Sequence, residues 1–270
     1  MEIMLSVENK TVHGLWVGSE LTVLERLTLH SFVYHGHDFN LWVYGDIKTA
    51  LPKGVRICDA NEILPASKIF RYKNANKYGH GKGSVAGFSD LFRYKLLYEK
   101  GGWWTDMDIT CLKPLEISES YFFRSHHDLA AVGNLMKCEV KSELMLRCFE
   151  ETDRTVDENN TDWLKPIAIL NKHLHELSLQ RFIRSGLSNE DRWPVVKRLI
   201  YLNNTLPENY LFVHWMNEEW RSRGINKTDI RYTSTLGWLL QLYHLLSLPK
   251  SEFKIMKNSV SHLMRYYLNQ

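Results

Sequence analysis

Apolar positions along the first half of the chain follow two different periods. Val12–Val17 is a short apolar run closed by Gly18, and Phe39–Tyr44 (FNLWVY) is a second. Gly54-Val55-Arg56-Ile57-Cys58 leads into a third. Short apolar runs bounded by turn residues predict strands. Between the first two, Leu21, Leu24 and Leu27, then Phe32 and Val33, recur at helical spacing and stop before His35-Gly36-His37. Strand and helix in alternation predict a mostly parallel sheet flanked by helices, an α/β fold whose ligands collect at the carboxyl ends of the strands. Ser84 or Gly87 opens a strong helix ending at Lys100, with Gly101-Gly102 as its stop. Its Phe88, Leu91, Phe92, Leu96 and Leu97 cover much of the circumference, which predicts burial. Asp90 and Arg93 share a face of that helix, and buried charges need partners; they either pair with each other or serve a ligand. Beyond residue 160 the pattern is mainly helical, over Leu164–Leu179, Trp193–Tyr201, Leu236–Leu246 and Glu252–Leu268.

Residues 67–84 (SKIFRYKNANKYGHGKGS) carry Lys68, Arg71, Lys73, Lys77 and Lys82 with no hydrophobic period. They read either as a solvated loop or as a cationic flap over an anionic ligand. The net charge of +3 is too small for a nucleic-acid footprint. No apolar run approaches the ~18–20 residues of a membrane span. The start, MEIMLSVENK, does not read as a secretory signal. The four cysteines, Cys58, Cys111, Cys138 and Cys148, lack metal-ligand spacing, so free thiols in a reducing, cytoplasmic compartment are expected. Among Lys250, Lys254, Lys257 and Arg265, the final stretch sets Phe253, Ile255, Met256, Leu263, Met264, Tyr267 and Leu268. That helix either packs on the domain or makes peripheral membrane contact.

The most informative stretch is Gly101–Pro114, GGWWTDMDITCLKP. Asp106 and Asp108 are two apart, so in an extended segment both carboxylates point to one side. Neighbouring carboxylates repel unless a cation or proton intervenes, and hard oxygen ligands suit Mg²⁺ or Mn²⁺. Asp106–Thr110 also satisfies D-x-D-x-T, a phosphatase signature, but no later Asp-Asp or GDxxxD supplies the acids that chemistry needs.

Ser89-Asp90-Leu91-Phe92-Arg93-Tyr94 followed by Gly101-Gly102-Trp103-Trp104-Thr105-Asp106-Met107-Asp108 resembles the glycosyltransferases with a DXD-containing sugar-binding region. These include α1,4-galactosyltransferases and Och-type mannosyltransferases, and clostridial glucosylating toxin catalytic domains share the arrangement. Leu15-Trp16-Val17-Gly18, His35-Gly36-His37-Asp38 with Leu41-Trp42, and Val213–Arg221 (VHWMNEEWR) agree with flanking motifs of the family.

The resemblance implies a single GT-A domain over residues 1–270, with a Rossmann-like sheet, a nucleotide-sugar-binding half to 115 and an acceptor-side, helical half beyond. It implies a nucleotide-sugar donor, usually UDP-linked, and transfer with retention at the anomeric carbon. Trp16 would stack on the base and Ser89 touch the nucleotide. Asp90, Arg93 and Trp104 would hold the donor sugar, with Asn134 nearby. Asp106, Asp108 and His214 would hold Mn²⁺ or Mg²⁺, and Trp220 would close over the donor. Relatives often carry a WGxxGP-like segment where this chain has Asp162-Trp163-Leu164-Lys165-Pro166-Ile167, so no role is carried over there. The expected acceptor is a glycan or lipid-linked glycan of surface polysaccharide or lipopolysaccharide synthesis. A glycan- or nucleotide-sugar-binding protein that keeps the fold without turnover is the alternative; intact Asp90, Arg93, Asp106 and Asp108 argue against it.

Overall fold

The structure is a computed structural model and describes residues 5–246; the Glu252–Leu268 helix and the amphipathic final stretch lie outside the described residues. After a single turn, α1 (Val7–Lys10), the chain forms β1 (Thr11–Trp16), α2 (Val23–Tyr34), β2 (Asp38–Val43) and β3 (Val55–Asp59). These meet the sequence expectation within one or two residues. Thr22 and Glu25 form a capping box that starts α2, so two otherwise orphaned backbone donors are satisfied together. Next come α3 (Ala86–Lys100), β4 (Gly102–Thr105), β5 (Ile109–Cys111), β6 (Phe122–Ser125) and β7 (Ala131–Cys138). The remainder is α4 (Glu143–Thr155), α5 (Lys165–Glu176), β8 (Ile183–Arg184), α6 (Trp193–Tyr201), β9 (Phe212–His214), α7 (Asn217–Ser222) and α8 (Thr235–Leu242).

Seven strands form one sheet in the order β3-β2-β1-β4-β7-β6-β8. β3, β2, β1 and β4 run parallel, as do β6 and β8, while β7 is antiparallel to both β4 and β6. This is the mostly parallel α/β sheet expected of a GT-A fold. The antiparallel insertion was not legible, because Gly133, Asn134 and Lys137 interrupt the apolar pattern of β7 although every residue of that strand is buried. Lys137 is tolerated there because its ammonium donates to Asn9 Oδ1 at 2.9 Å and the Ile117 carbonyl at 2.6 Å. Helix α4 was also not expected; Ser142 caps it, its hydroxyl accepting from the Met145 N–H.

One face of the sheet packs on α3, α4 and α5 through Phe88, Phe92, Leu96, Leu97, Met145 and Leu170. The other meets α2, where Leu29 and Phe32 join Phe39, Leu41 and Trp103. A third cluster, with Trp215, Trp220, Leu199, Leu236 and Leu239, is built from the C-terminal helices. Among the described residues no helix is long and apolar enough to cross a membrane.

The link from α3 to β4 fixes where the acidic turn falls. Gly101 closes α3 at φ 65°, ψ −161°, a conformation open in practice to glycine alone. A Cβ there would stand 2.7 Å from the Val140 backbone nitrogen. Gly101→Ala should therefore destabilise the protein by about 1–3 kcal/mol or more. A urea titration matching that of the unsubstituted protein would show that this junction relaxes freely.

Candidate active site

β4 lies between β1 and β7, and the chain leaves its carboxyl end through the turn Asp106-Met107-Asp108 before entering β5. β5 pairs not with the large sheet but with β9, and the register sets Ile109 opposite His214. That pairing brings the far end of the sequence beside the acidic turn. The carboxylates stand in a turn, not an extended segment, and take different partners. Asp106 Oδ1 accepts from Arg93 Nη2 and from the Trp104 indole, each at 2.8 Å. Asp108 Oδ2 accepts from the Asn217 backbone N–H at 2.7 Å and stands 3.3 Å from His214 Nε2. Met216, in the left-handed region at φ 54°, turns the chain so that the Asn217 N–H reaches Asp108.

The two sides of the turn differ electrostatically. Burial raises Asp106, with Arg93 opposing and Asp108 adding to the rise. Burial raises Asp90 to about 6, against the pull of Arg93. Asp108 goes the other way: burial opposes ionisation, but His214 and the Asn217 N–H hold its carboxyl below the usual range. His214 is disfavoured as a cation by burial, yet Asp191 and Asp108 lift it to about 10. Asp108 is therefore the firmly ionised carboxylate of the turn, and it faces a site that favours positive charge.

Arg93 Nη2 lies 3.3 Å from Asp90 and 2.8 Å from Asp106, so the intrahelical pair is present and Asp106 shares its guanidinium. That guanidinium lies 5.2 Å from the Trp104 ring centre. It also passes over Gly133, where a Cβ would come within 2.7 Å of Nη1. Asn134 adjoins it: its carbonyl accepts from the Asp106 N–H at 2.8 Å, and among the described residues its buried Oδ1 has no hydrogen-bond partner.

All these groups line one cleft of about 460 Å³, together with Trp16, Ser89, Trp104 and Asp191. Trp16 ends β1, partly buried, its indole donating to the Glu20 carbonyl at 3.0 Å. Gly18 lies against the ring, where a Cβ would stand 3.2 Å from Nε1. The 67–84 segment forms part of the rim through Arg71, Tyr72, His80 and Gly83. Helix α7 holds it there: Gly81 donates to Glu218 Oε1 and Arg221 Nη1 to the Lys82 carbonyl, both at 2.8 Å. Lys68 and Lys73 instead form ion pairs with Asp153 and Glu158.

Trp220 stands outside this group. It is 1% exposed in the C-terminal core, with its indole donating to the Trp215 carbonyl at 2.8 Å, and does not line the cleft. Sequence reasoning missed Asp191, Arg124 and the Asn217 N–H. Asp191 lies in a charged loop (Asn189-Glu190-Asp191-Arg192) with no spacing that marks it, and a backbone donor carries no sequence signal.

The donor set fits a divalent cation. Among the described residues neither Asp106 Oδ2 nor Asp108 Oδ1 accepts a hydrogen bond, so each carboxylate keeps one oxygen open to a cation, and His214 Nε2 stands 3.3 Å from the other Asp108 oxygen. Among the described residues the group whose ligand atoms all lie within 4.8 Å of one another is His126, His127 and Asp128, in the turn between β6 and β7, and His126 also lines the cleft.

Residues 32–124 match the family described as glycosyltransferase sugar-binding region containing DXD motif. The chain carries a DXD glycosyltransferase region. The matched region holds Ser89, Asp90, Arg93, Trp104, Asp106 and Asp108; Trp16, Asn134, Asp191 and His214 line the same cleft from outside it. No curated protein sequence matches the chain. Solved structures with some similarity include "PaToxG Glycosyltransferase", at 12% identity and a TM-score of 0.45, covering 87% of this chain and 84% of that one. Another, described as a transferase mutant, has 12% identity and a TM-score of 0.43, covering 70% of this chain and 93% of that one.

The placement of Trp220 gives a direct test. Trp220→Ala should cost about 3–5 kcal/mol of stability. Trp220→Phe should restore most of it, as measured by thermal melting. A Trp220→Ala protein as stable as the unsubstituted one would take this residue out of the core.

Proposed function

We propose that this protein is a metal-dependent, retaining glycosyltransferase that moves a hexose from a nucleotide sugar, most simply UDP-linked, to a glycan acceptor. The observation that carries the reading is convergence: the DXD turn, the Asp90/Arg93 face of α3 and His214 all border one cleft at the carboxyl end of the parallel strands. Asp106, Asp108 and His214 are the residues that would hold Mn²⁺ or Mg²⁺. When bound, such an ion supplies neutralising charge to a departing nucleoside diphosphate.

The chain's own residues account for the rest. Trp16, at the end of β1, offers a flat face for the base, and Ser89 a hydroxyl for the nucleotide. Asp90 and Arg93 offer sugar hydroxyls an acceptor and a fixed fork of donors. Trp104 and Asn134 line the same pocket and bound the space open to the sugar. Arg93 is held by two carboxylates and a glycine cradle before any sugar arrives, so its orientation requires little reorganisation. In this reading the acceptor is a surface polysaccharide or its lipid-linked precursor, and the reaction is cytoplasmic.

The first test is to incubate the protein with a panel of nucleotide sugars and Mn²⁺ and to score free nucleotide. Chelator should abolish release and Mn²⁺ or Mg²⁺ restore it. Asp108→Asn should lose at least about 100-fold in turnover while remaining folded, given the usual reach of electrostatic stabilisation. Full turnover in excess chelator would sink the assignment. Trp16→Ala should weaken nucleotide binding by about tenfold, since stacking on an aromatic ring contributes ~1–3 kcal/mol per base. Unchanged affinity with a lowered melting temperature would make Trp16 a packing residue.

A further inference from the structure

His214 is held by a separate loop, residues 188–191, and that loop is organised around one buried arginine. Arg124 sits at the bulge of β6 and is 4% exposed. Its Nε donates to Ser188 Oγ at 2.8 Å, its Nη2 to the Asn189 carbonyl at 2.6 Å and its Nη1 to Asp191 Oδ2 at 2.6 Å. Every nitrogen of the guanidinium thus fixes part of the loop. The loop in turn grips His214 twice. The Asn189 side chain, 2% exposed, accepts from the His214 N–H at 2.9 Å and donates to the His214 carbonyl at 3.0 Å. Asp191 Oδ1 lies 2.6 Å from His214 Nδ1. A carboxylate only accepts, so Nδ1 carries a proton toward Asp191, and Nε2, which faces Asp108 Oδ2 at 3.3 Å, is the nitrogen at which a cation would take the place of a proton.

We propose that Asp191 is the positioning residue of the metal site. Through Nδ1 it fixes the ring plane and tautomer of His214 so that Nε2 is presented beside Asp108, and Arg124 fixes Asp191 from the opposite side. Carboxylates that hold the far nitrogen of a ligating histidine orient the ring and make it a better donor, and their loss typically lowers metal affinity 10–100-fold. The proposal rests on the reading that Asp108 and His214 hold a divalent cation. The competing account is a buried ion pair whose only task is to hold the 188–191 loop. Geometry favours positioning: an ion pair with Arg124 needs only Oδ2, whereas Oδ1 is committed to the imidazole.

The test uses the full chain and Mn²⁺ alone, titrated by electron paramagnetic resonance of the free ion, with melting temperature recorded for each protein. The unsubstituted protein should bind Mn²⁺, and Asp108→Asn should lose it. Asp191→Asn should weaken binding by about 10–100-fold while staying folded, and Asp191→Glu should recover part of the loss. No Mn²⁺ binding by the unsubstituted protein would remove the metal reading itself. Loss in Asp108→Asn with unchanged affinity in Asp191→Asn would overturn the positioning role alone. Should Asp191→Asn fail to fold, the ¹⁵N histidine spectrum of the unsubstituted protein decides. On adding Zn²⁺, the His214 Nε2 signal should move to the metal-bound range while Nδ1 keeps its proton. A shift at Nδ1 would exclude the proposal.

Discussion

The pairing of β5 with β9 is the contact on which the site depends. Three residue pairs, Ile109 with His214, Thr110 with Val213 and Cys111 with Phe212, join segments about a hundred positions apart. The pairing is reinforced by side chains: the Trp215 indole donates to Thr110 Oγ1 at 2.8 Å, and the Trp215 N–H to the Asp108 carbonyl at 2.9 Å. A slip of one residue would turn His214 to the other face of the ribbon and leave Asp108 without its neighbour. Closing so long a loop carries a large entropic cost. The apolar cluster of Trp215, Trp220, Leu199, Leu236 and Leu239 with Leu24, Leu27 and Leu112 offsets it by burying the C-terminal segment against α2 and the residue that follows β5.

Charge is arranged in two unlike clusters around that pairing. On the α3 side, one guanidinium serves Asp90 and Asp106, and burial dominates, so both carboxyls rise. On the β9 side, carboxylates and cations alternate from Arg124 to Asp191, His214 and Asp108, and both carboxyls fall below their usual range. The second cluster extends further: Lys227, which also depresses Asp108, pairs at 2.8 Å with fully buried Glu25, the residue that caps α2. A helix cap in the N-terminal half is thereby tied to the acidic turn. Removing one member of such a buried chain leaves its partner uncompensated, which is why these positions act as a unit.

The legibility of the sequence followed the range of the interactions. Local pattern located β1 and β2 as short apolar runs, which are buried on both faces, and α2, α3 and α6 by apolar residues at helical spacing. It missed β7, whose polar Asn134 and Lys137 are interleaved with its apolar residues, and β9, which is three residues long. The site divided in the same way. Asp90, Arg93, Trp104, Asp106 and Asp108 lie within about twenty residues and could be read together. Asn134 and His214 came only from resemblance to a family, and Asp191 from neither source. Trp220 came from that resemblance as well, and packing places it in a core instead of the cleft.

The glycosyltransferase region of residues 32–124 is therefore not a self-sufficient unit of this structure. It lacks β1, the strand on which β2 and β4 both pair, and it lacks β7, which covers the other edge of β4. Without them β4 would present two unsatisfied edges, and β5 would lose its partner β9. The residues outside the region do more than complete the sheet. Gly133 gives Arg93 room to lie flat, Asn134 anchors the Asp106 backbone, and the 188–191 loop orients His214. The recognisable motif supplies the charged groups of the cleft, while the less recognisable remainder holds them in the geometry that chemistry requires.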